Sequence, residues 1–171
     1  MSRKRMPTVS IEVKPSKVVS GGVGIFAIQA FKKGDIIGAA IYDPSVFLTW
    51  DEVNKLDKKT QQMIDKFCFG GIEGVWVLLN FDMIPALAFI NHSCDYNVGF
   101  DKEDNFIAVR NISAGEELYL DYGFAVSNPN FRMECNCGAV NCRKVITGND
   151  WRFLATDKRN KRYMFSVIKN L

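Results

Sequence analysis

Ala88-Phe89-Ile90-Asn91-His92-Ser93-Cys94-Asp95-Tyr96-Asn97 contains the chain's single histidine, two asparagines and a cysteine well separated from the other cysteines. The apolar run before it, residues 84–90, is expected to carry these polar groups into the interior. Buried polar groups require partners. The competing reading is local: Asn and Ser side chains cap or turn a short element by bonding nearby backbone.

Downstream sequence decides between the two. Cys135-Asn136-Cys137-Gly138-Ala139-Val140-Asn141-Cys142 places three thiols in eight residues, with Gly138 and Asn141 suited to tight turns. Structural zinc takes four ligands, usually Cys or His. The fourth candidates are Cys68, His92 and Cys94, and Cys94 is preferred because Cys68 falls on an apolar helical face. Zinc held by Cys94, Cys135, Cys137 and Cys142 would tie the Asn-His-Ser segment to the C-terminal knuckle. Five cysteines, an odd count, and no secretory segment argue against a disulfide framework.

The 171 residues fit one domain, and an apolar fraction of 47% with 24% charged residues is that of an ordinary globular protein. The longest apolar run is far below the roughly 20 residues that cross a bilayer, so no membrane is expected. Residues 1–7 are basic without an apolar stretch behind them and read as a tail, not a signal peptide. An intracellular location, cytoplasm or nucleus, is therefore expected. A formal charge of +3, falling to +1 with four thiolates on a zinc ion (3 − 4 + 2), does not suggest direct nucleic-acid binding. The local basic cluster at 158–162 reads as a solvated surface.

Residues 8–14 alternate, with Val9, Ile11 and Val13 on one face, and predict a half-buried strand. Gly21, Gly22 and Gly24 stand at the mouth of a second strand, where backbone could approach a ligand closely. The strand continues through Ile25 and Phe26, and no helix follows, which excludes the dinucleotide phosphate loop. Lys32 to Asp35 form a turn before a strand over 36–42, which Pro44 ends. Thr49-Trp50-Asp51-Glu52 is a capping box. It opens a helix expected to run to about residue 69, with Val53, Leu56, Thr60, Met63, Ile64 and Phe67 facing inward. A short buried strand at 75–79, a hairpin at 98–110 and an alternating strand at 116–123 complete the body. Trp151, Phe153, Tyr163 and Phe165 are expected to dock a C-terminal helix. The fold class is mostly β with an inserted helix and a short C-terminal helical segment.

Taken together, Gly22-Val23-Gly24, Asn91-His92-Ser93-Cys94, Gly115-Glu116-Glu117-Leu118 with Asp121-Tyr122-Gly123, and Cys135/Cys137/Cys142 resemble a SET-domain protein lysine methyltransferase of minimal, stand-alone type with its post-SET zinc cysteines. The resemblance spans roughly residues 8–146. It implies a β-clip fold of small curled sheets with a pseudoknot, in which the Asn-His-Ser segment threads under the loop bearing the later tyrosine. The implied organisation is a tail at 1–7, a SET domain at 8–126 with its helical insert at about 49–69, a zinc knuckle at 127–147 and a docking segment at 148–171.

The resemblance further implies that S-adenosylmethionine is bound by Gly22, Val23, Gly24, Ile25 and Phe26, by Asn91 and His92, and by Cys137 and Gly138. Tyr122 would be the catalytic tyrosine, and Leu120 and Phe124 would line the substrate channel. The partner would be a protein presenting a lysine, such as a histone tail. Two departures stand out. Asp95-Tyr96 replaces a proline common in the family, and Gly38-Ala39-Ala40-Ile41-Tyr42 replaces the usual pattern at the channel's outer wall. Since Leu120 and Phe124 carry no hydroxyl, room for two or three methyl groups is expected. The alternatives are a zinc-stabilised SET-fold interaction module without catalysis, and a hydrolytic zinc site at His92, which four Cys ligands would leave no open position to support.

Overall fold

A computed structural model describes residues 8–40 and 44–171; the expected basic tail, and Ile41 and Tyr42 of the expected third strand, lie outside the described residues. A seven-stranded sheet forms the body. Its strands are β1 (Ile11–Pro15), β2 (Val23–Ala27), β3 (Ile36–Ala39), β6 (Asn91–His92), β7 (Val98–Phe100), β8 (Asn105–Ala108) and β9 (Glu117–Leu120), in the order β1-β2-β9-β7-β8-β3 with β6 also on β9. Between β3 and β6 lies an insert: β4 (Ser45–Thr49), α1 (Trp50–Val53), α2 (Lys58–Phe67) and β5 (Gly74–Leu78), with β4 and β5 paired antiparallel. The third sheet is a hairpin of β10 (Arg132–Glu134) and β11 (Val145–Thr147), and three short helices follow, α3 (Asp150–Leu154), α4 (Lys158–Lys161) and α5 (Ser166–Lys169). The architecture is mostly β, as expected. Among the described residues no helix is long and apolar enough to cross a membrane.

β9 is the pivot. It pairs antiparallel with β2 and parallel with both β6 and β7, so the segment at 91–98 lies directly against the strand leading into Tyr122. Leu118 and Leu120 face a core shared with Ile25, Val98, Phe100 and Phe106, all essentially inaccessible. The parallel contact is short, and side chains reinforce it. The amide of Asn97, fully buried, donates to Glu117 O at 2.8 Å and accepts from Tyr119 N at 2.7 Å, so a buried polar group is satisfied while it fixes register.

Four sequence expectations need correction. The insert is not one helix. The capping box at Thr49 and Glu52 is formed, but Asp57 accepts from Lys59 N and Thr60 N and starts a second helix. A good cap inside a helical pattern outcompetes continuation, because its side chain satisfies first-turn donors. β1 is an edge strand with Val9 and Val13 largely exposed, and Ile11 alone of the three packs on the core. In the C-terminal segment, Phe153 is exposed, and Leu154, Met164, Phe165 and Ile168 do the anchoring. The strand expected at 75–79 alternates, with Val75 and Val77 inside and Trp76 outside.

Candidate active site and metal centre

The knuckle meets the Asn-His-Ser segment at sulfur. The Sγ atoms of Cys94, Cys135, Cys137 and Cys142 all lie within 4.8 Å of one another, with Cys94–Cys135 at 4.0 Å and Cys135–Cys142 at 3.7 Å. Four sulfurs about 2.3 Å from a tetrahedral zinc stand about 3.8 Å apart, so the donor set and its spacing fit that ion. Cys68 is remote from this group: it follows α2 and packs in the insert. Burial pushes its thiol up to about 11. Backbone N–H groups already point at the cluster, Cys94 N to Cys137 Sγ at 3.5 Å and Arg143 N to Cys94 Sγ at 3.4 Å. Burial opposes the Cys137 thiolate, yet hydrogen bonds from Cys94 N, Ala139 N, the Cys135 thiol and the Ser93 hydroxyl outweigh it and bring Cys137 down to about 6. Thiolate is the form that binds metal.

His92 lies between the clasp and the turn that carries Tyr122. Its Nδ1 accepts from Tyr122 N at 3.1 Å, and its Nε2 lies 3.5 Å from Cys94 Sγ. Burial, only partly offset by Asp121, lowers its pKa to about 4. The ring is therefore neutral near pH 7, and with Nδ1 accepting, the proton sits on Nε2, facing sulfur. Both nitrogens thus face protein, and the ring is almost fully enclosed.

Arg143, immediately after the last cysteine, closes the arrangement. Its Nη1 and Nη2 each reach the Asp121 carboxylate at 2.6 Å, and its Nε reaches Asp150 at 3.0 Å. Both aspartates are buried. A bidentate guanidinium–carboxylate pair gives direction as well as energy, and Asp121 in turn caps the 3-10 turn Tyr122–Phe124 through Gly123 N. Two charged partners hold the Arg143 pKa well above its ordinary value despite burial. This link was missed from sequence. The only available signal was a charge directly after a ligand cysteine.

Tyr122 points its hydroxyl at Ile90 O, 3.0 Å away, and its ring meets Phe69 and His92 at centroid distances of 5.9 and 5.3 Å. Burial pushes its pKa up to about 12. In front of it opens a cavity of about 100 Å³ whose walls include Phe69, Ile90, Val126 and Phe131. Leu120 and Phe124 are fully buried in the core and are not on this cavity's wall. The residues that do line it come from the insert, from the stretch before Asn91 (Leu87, Ala88 and Ile90), from Ala40 and Phe106, and from residues after the 3-10 turn.

On the other side of Asn91 lies the glycine mouth of β2. Asn91 Nδ2 donates to Val23 O at 2.8 Å and to Ser16 Oγ at 3.2 Å, and among the described residues its Oδ1 takes no hydrogen bond, leaving an acceptor free. Gly24 is obligatory, since a Cβ there would lie 2.0 Å from Glu117 Oε1 and 3.0 Å from Asn91 Nδ2. Glu117, buried at 1% exposure, accepts from Ser16 Oγ, Lys17 N and Tyr119 Oη at 2.7–2.8 Å. It organises this corner, a role that its place in the Gly115-Glu116-Glu117-Leu118 motif does not announce, although Glu117 and Tyr119 share one strand face. Val23, Asn91, Cys137 and Gly138 remain partly or fully accessible, whereas Ile25 and Phe26 are core.

The model of the SET domain family matches residues 22–123. The chain is similar to human histone-lysine N-methyltransferase 2D, 48% identical over 63 residues, covering 33% of this chain and 1% of that protein. Human histone-lysine N-methyltransferase 2B is 40% identical over 68 residues, 36% of this chain and 2% of that protein. Histone-lysine N-methyltransferase ash1 of Drosophila melanogaster is 38% identical over 71 residues, 37% and 3% respectively. The chain thus spans only a few hundredths of the length of these relatives.

Proposed function

The chain belongs to the SET-domain family, and from that premise we propose that it transfers a methyl group from S-adenosylmethionine to the side-chain amine of a lysine in a protein substrate. The observation that carries the reading is the placement of Tyr122: it lines a largely apolar cavity, whose wall also includes Asp65 and Lys66, and its hydroxyl is bonded to the carbonyl of the residue before Asn91. The lysine enters this cavity from one side. The donor lies on the other, at the glycine mouth of β2.

The residues fit such a donor. Asn91 Oδ1 is free to accept from its ammonium, Gly22 is half-buried and Val23 exposed, His92 follows Asn91 on β6, and Cys137 meets the same segment through Cys94 N. S-adenosylmethionine supplies an electrophilic methyl on a sulfonium. Cys94, Cys135, Cys137 and Cys142 would hold structural zinc, and four such ligands would leave no open position for hydrolytic chemistry.

Methyl transfer needs a neutral amine, and a free lysine has a pKa of about 10.4. Desolvation by the apolar wall and a neighbouring positive charge both disfavour the ammonium. Tyr122 stays protonated at neutral pH and is no base. Its hydroxyl and Ile90 O orient the amine and make weak C–H···O contacts to the polarised methyl, so the acceleration is mainly positioning. Histones are the proposed substrates, by analogy with the names of the relatives. Phe69, Ile90, Val126 and Phe131, which share the cavity wall with Tyr122, carry no hydroxyl to hold a water beside the amine, and products with two or three methyl groups are proposed.

Incubation with labelled S-adenosylmethionine and a panel of histones and other proteins tests the reading. Label should enter lysine, and Tyr122→Phe should reduce the rate by about a hundredfold or more while donor binding persists. Donor binding with no transfer to any substrate would mark a binding module instead. Mass spectra showing monomethyl product alone at long incubation would overturn the multiple-methyl proposal.

A further inference from the structure

Beside the Tyr122 cavity lies a second one, of about 290 Å³, between the insert and α5. The two share Phe69, Trp76 and Phe165 as walls. The second is lined by Phe47, Ile72, Val167 and Leu171, which together with Trp76 are 40–55% exposed at its mouth. That is a contiguous group of large apolar side chains left in water, and such patches on a soluble surface mark binding sites.

Ser127 lies in the same cavity, is 2% exposed, and its Oγ is the one buried side-chain polar atom without a hydrogen-bond partner among the described residues. A buried hydroxyl left unpaired is costly, and such a group in a native structure calls for an explanation. An occupant that excludes water and offers one polar atom would resolve both anomalies.

We infer that this cavity is a specificity pocket for the protein substrate, receiving a bulky apolar side chain two positions from the target lysine. The inference rests on the reading that a lysine enters the Tyr122 cavity. Its geometry follows from chain periodicity. In an extended segment, side chains at i and i±2 leave on the same side, so a lysine in the first cavity directs the residue two away toward its neighbour. The shared aromatic wall makes the two pockets one continuous docking surface. The peptide backbone next to the apolar residue supplies the polar atom for Ser127, and the apolar side chain covers Phe47, Trp76 and Val167. The substrate class is thus a lysine-bearing chain with Leu, Met or Phe at that spacing, in place of a uniformly basic tail.

Fluorescently labelled peptides with one lysine in an alanine background, carrying Leu, Phe, Ala or Asp two positions before or after it, test this by anisotropy and, in parallel, by labelled methyl transfer. The Leu and Phe peptides on one side of the lysine should bind ~10-fold tighter than the Ala peptide, the scale of partly burying one such side chain. Val167→Trp, at an exposed position on α5, should fill the mouth and bring the ratio to about one. Ile72→Trp, on the insert side of the mouth, is an independent closure and should do the same. Equal binding of all peptides, or a preference untouched by both closures, overturns the pocket. A binding preference without methyl transfer supports the pocket and overturns the catalytic reading, whereas transfer without preference does the reverse. No binding by any peptide overturns the pocket outright.

Discussion

The insert and the knuckle are both small two-stranded units outside the main sheet, yet they are held by different physics. The insert has an apolar centre of its own: Val53, Ile64, Val75 and Val77 are buried, with Leu48, Trp50 and Leu56 packed around them. The knuckle has Ile146 and little else that is aliphatic and buried; its interior is sulfur. Apolar burial at about 25 cal/mol per Å² holds the first unit together without help. The second has too little such area, and under the zinc proposal its cohesion would come from metal–thiolate bonds together with Arg143. The unit next to the proposed donor corner is therefore the one whose order is conditional, while the unit that walls the Tyr122 cavity is not.

Stripping the metal should separate the two units most sharply. Structural zinc contributes on the order of 10–16 kcal/mol of apparent binding energy in small zinc modules. Chelation, or Cys94→Ser, should release about one equivalent of zinc by metal analysis. Amide protection should collapse across residues 132–147 and persist in α2 and β5. Equal loss in both units would sink the comparison. Next in size is Arg143→Ala, which leaves Asp121 and Asp150 buried and unpaired. Breaking a buried pair costs about 3–5 kcal/mol. Denaturant melts should show it, with zinc retained, because no ligand has changed.

The contrast also explains what could be read from sequence. The β7–β8 hairpin pairs strands that adjoin along the chain, β8 alternates buried with half-buried side chains, and Thr49 announces its own cap. The four cysteines were identifiable because ligand chemistry limits the choice. β4 was missed because its partner β5 lies beyond both helices, and no local pattern encodes that pairing. Glu117 and Arg143 look like surface charges until their partners arrive, Lys17 from 100 residues away and Asp121 from 22. The resemblance implies Leu120 and Phe124 as channel residues on either side of Tyr122, but the turn after Asp121 changes from strand to 3-10 geometry, and both side chains go to the core instead of the cavity wall.

Within the insert the expected effects are smaller and should leave the knuckle untouched. Ile64→Ala removes a side chain at 1% exposure from the centre of that unit and should cost roughly 2–5 kcal/mol, read as a lower melting midpoint with full zinc content. A fall in zinc content would show that the two units are not independent.

The caps give the finest resolution. Asp57 accepts from two backbone N–H groups and the Thr60 hydroxyl at the head of the ten-residue α2, so Asp57→Ala should cost about 1 kcal/mol or somewhat more. Thr49 caps only the four-residue α1: its hydroxyl accepts one 3.3 Å bond from Glu52 N and donates to Glu52 Oε2 at 2.8 Å, and the start of that helix is also pinned by Trp50 Nε1, which reaches Gly71 O and Ile72 O at 3.2 and 3.1 Å. Thr49→Ala should therefore cost less than Asp57→Ala, at most about 1 kcal/mol, because the indole keeps the turn in place when the hydroxyl is gone. Paired urea melts decide the matter. If Thr49→Ala proves the more damaging, α1 is held by its capping box and not by the tryptophan, and the insert depends on local bonds more than its apolar centre implies.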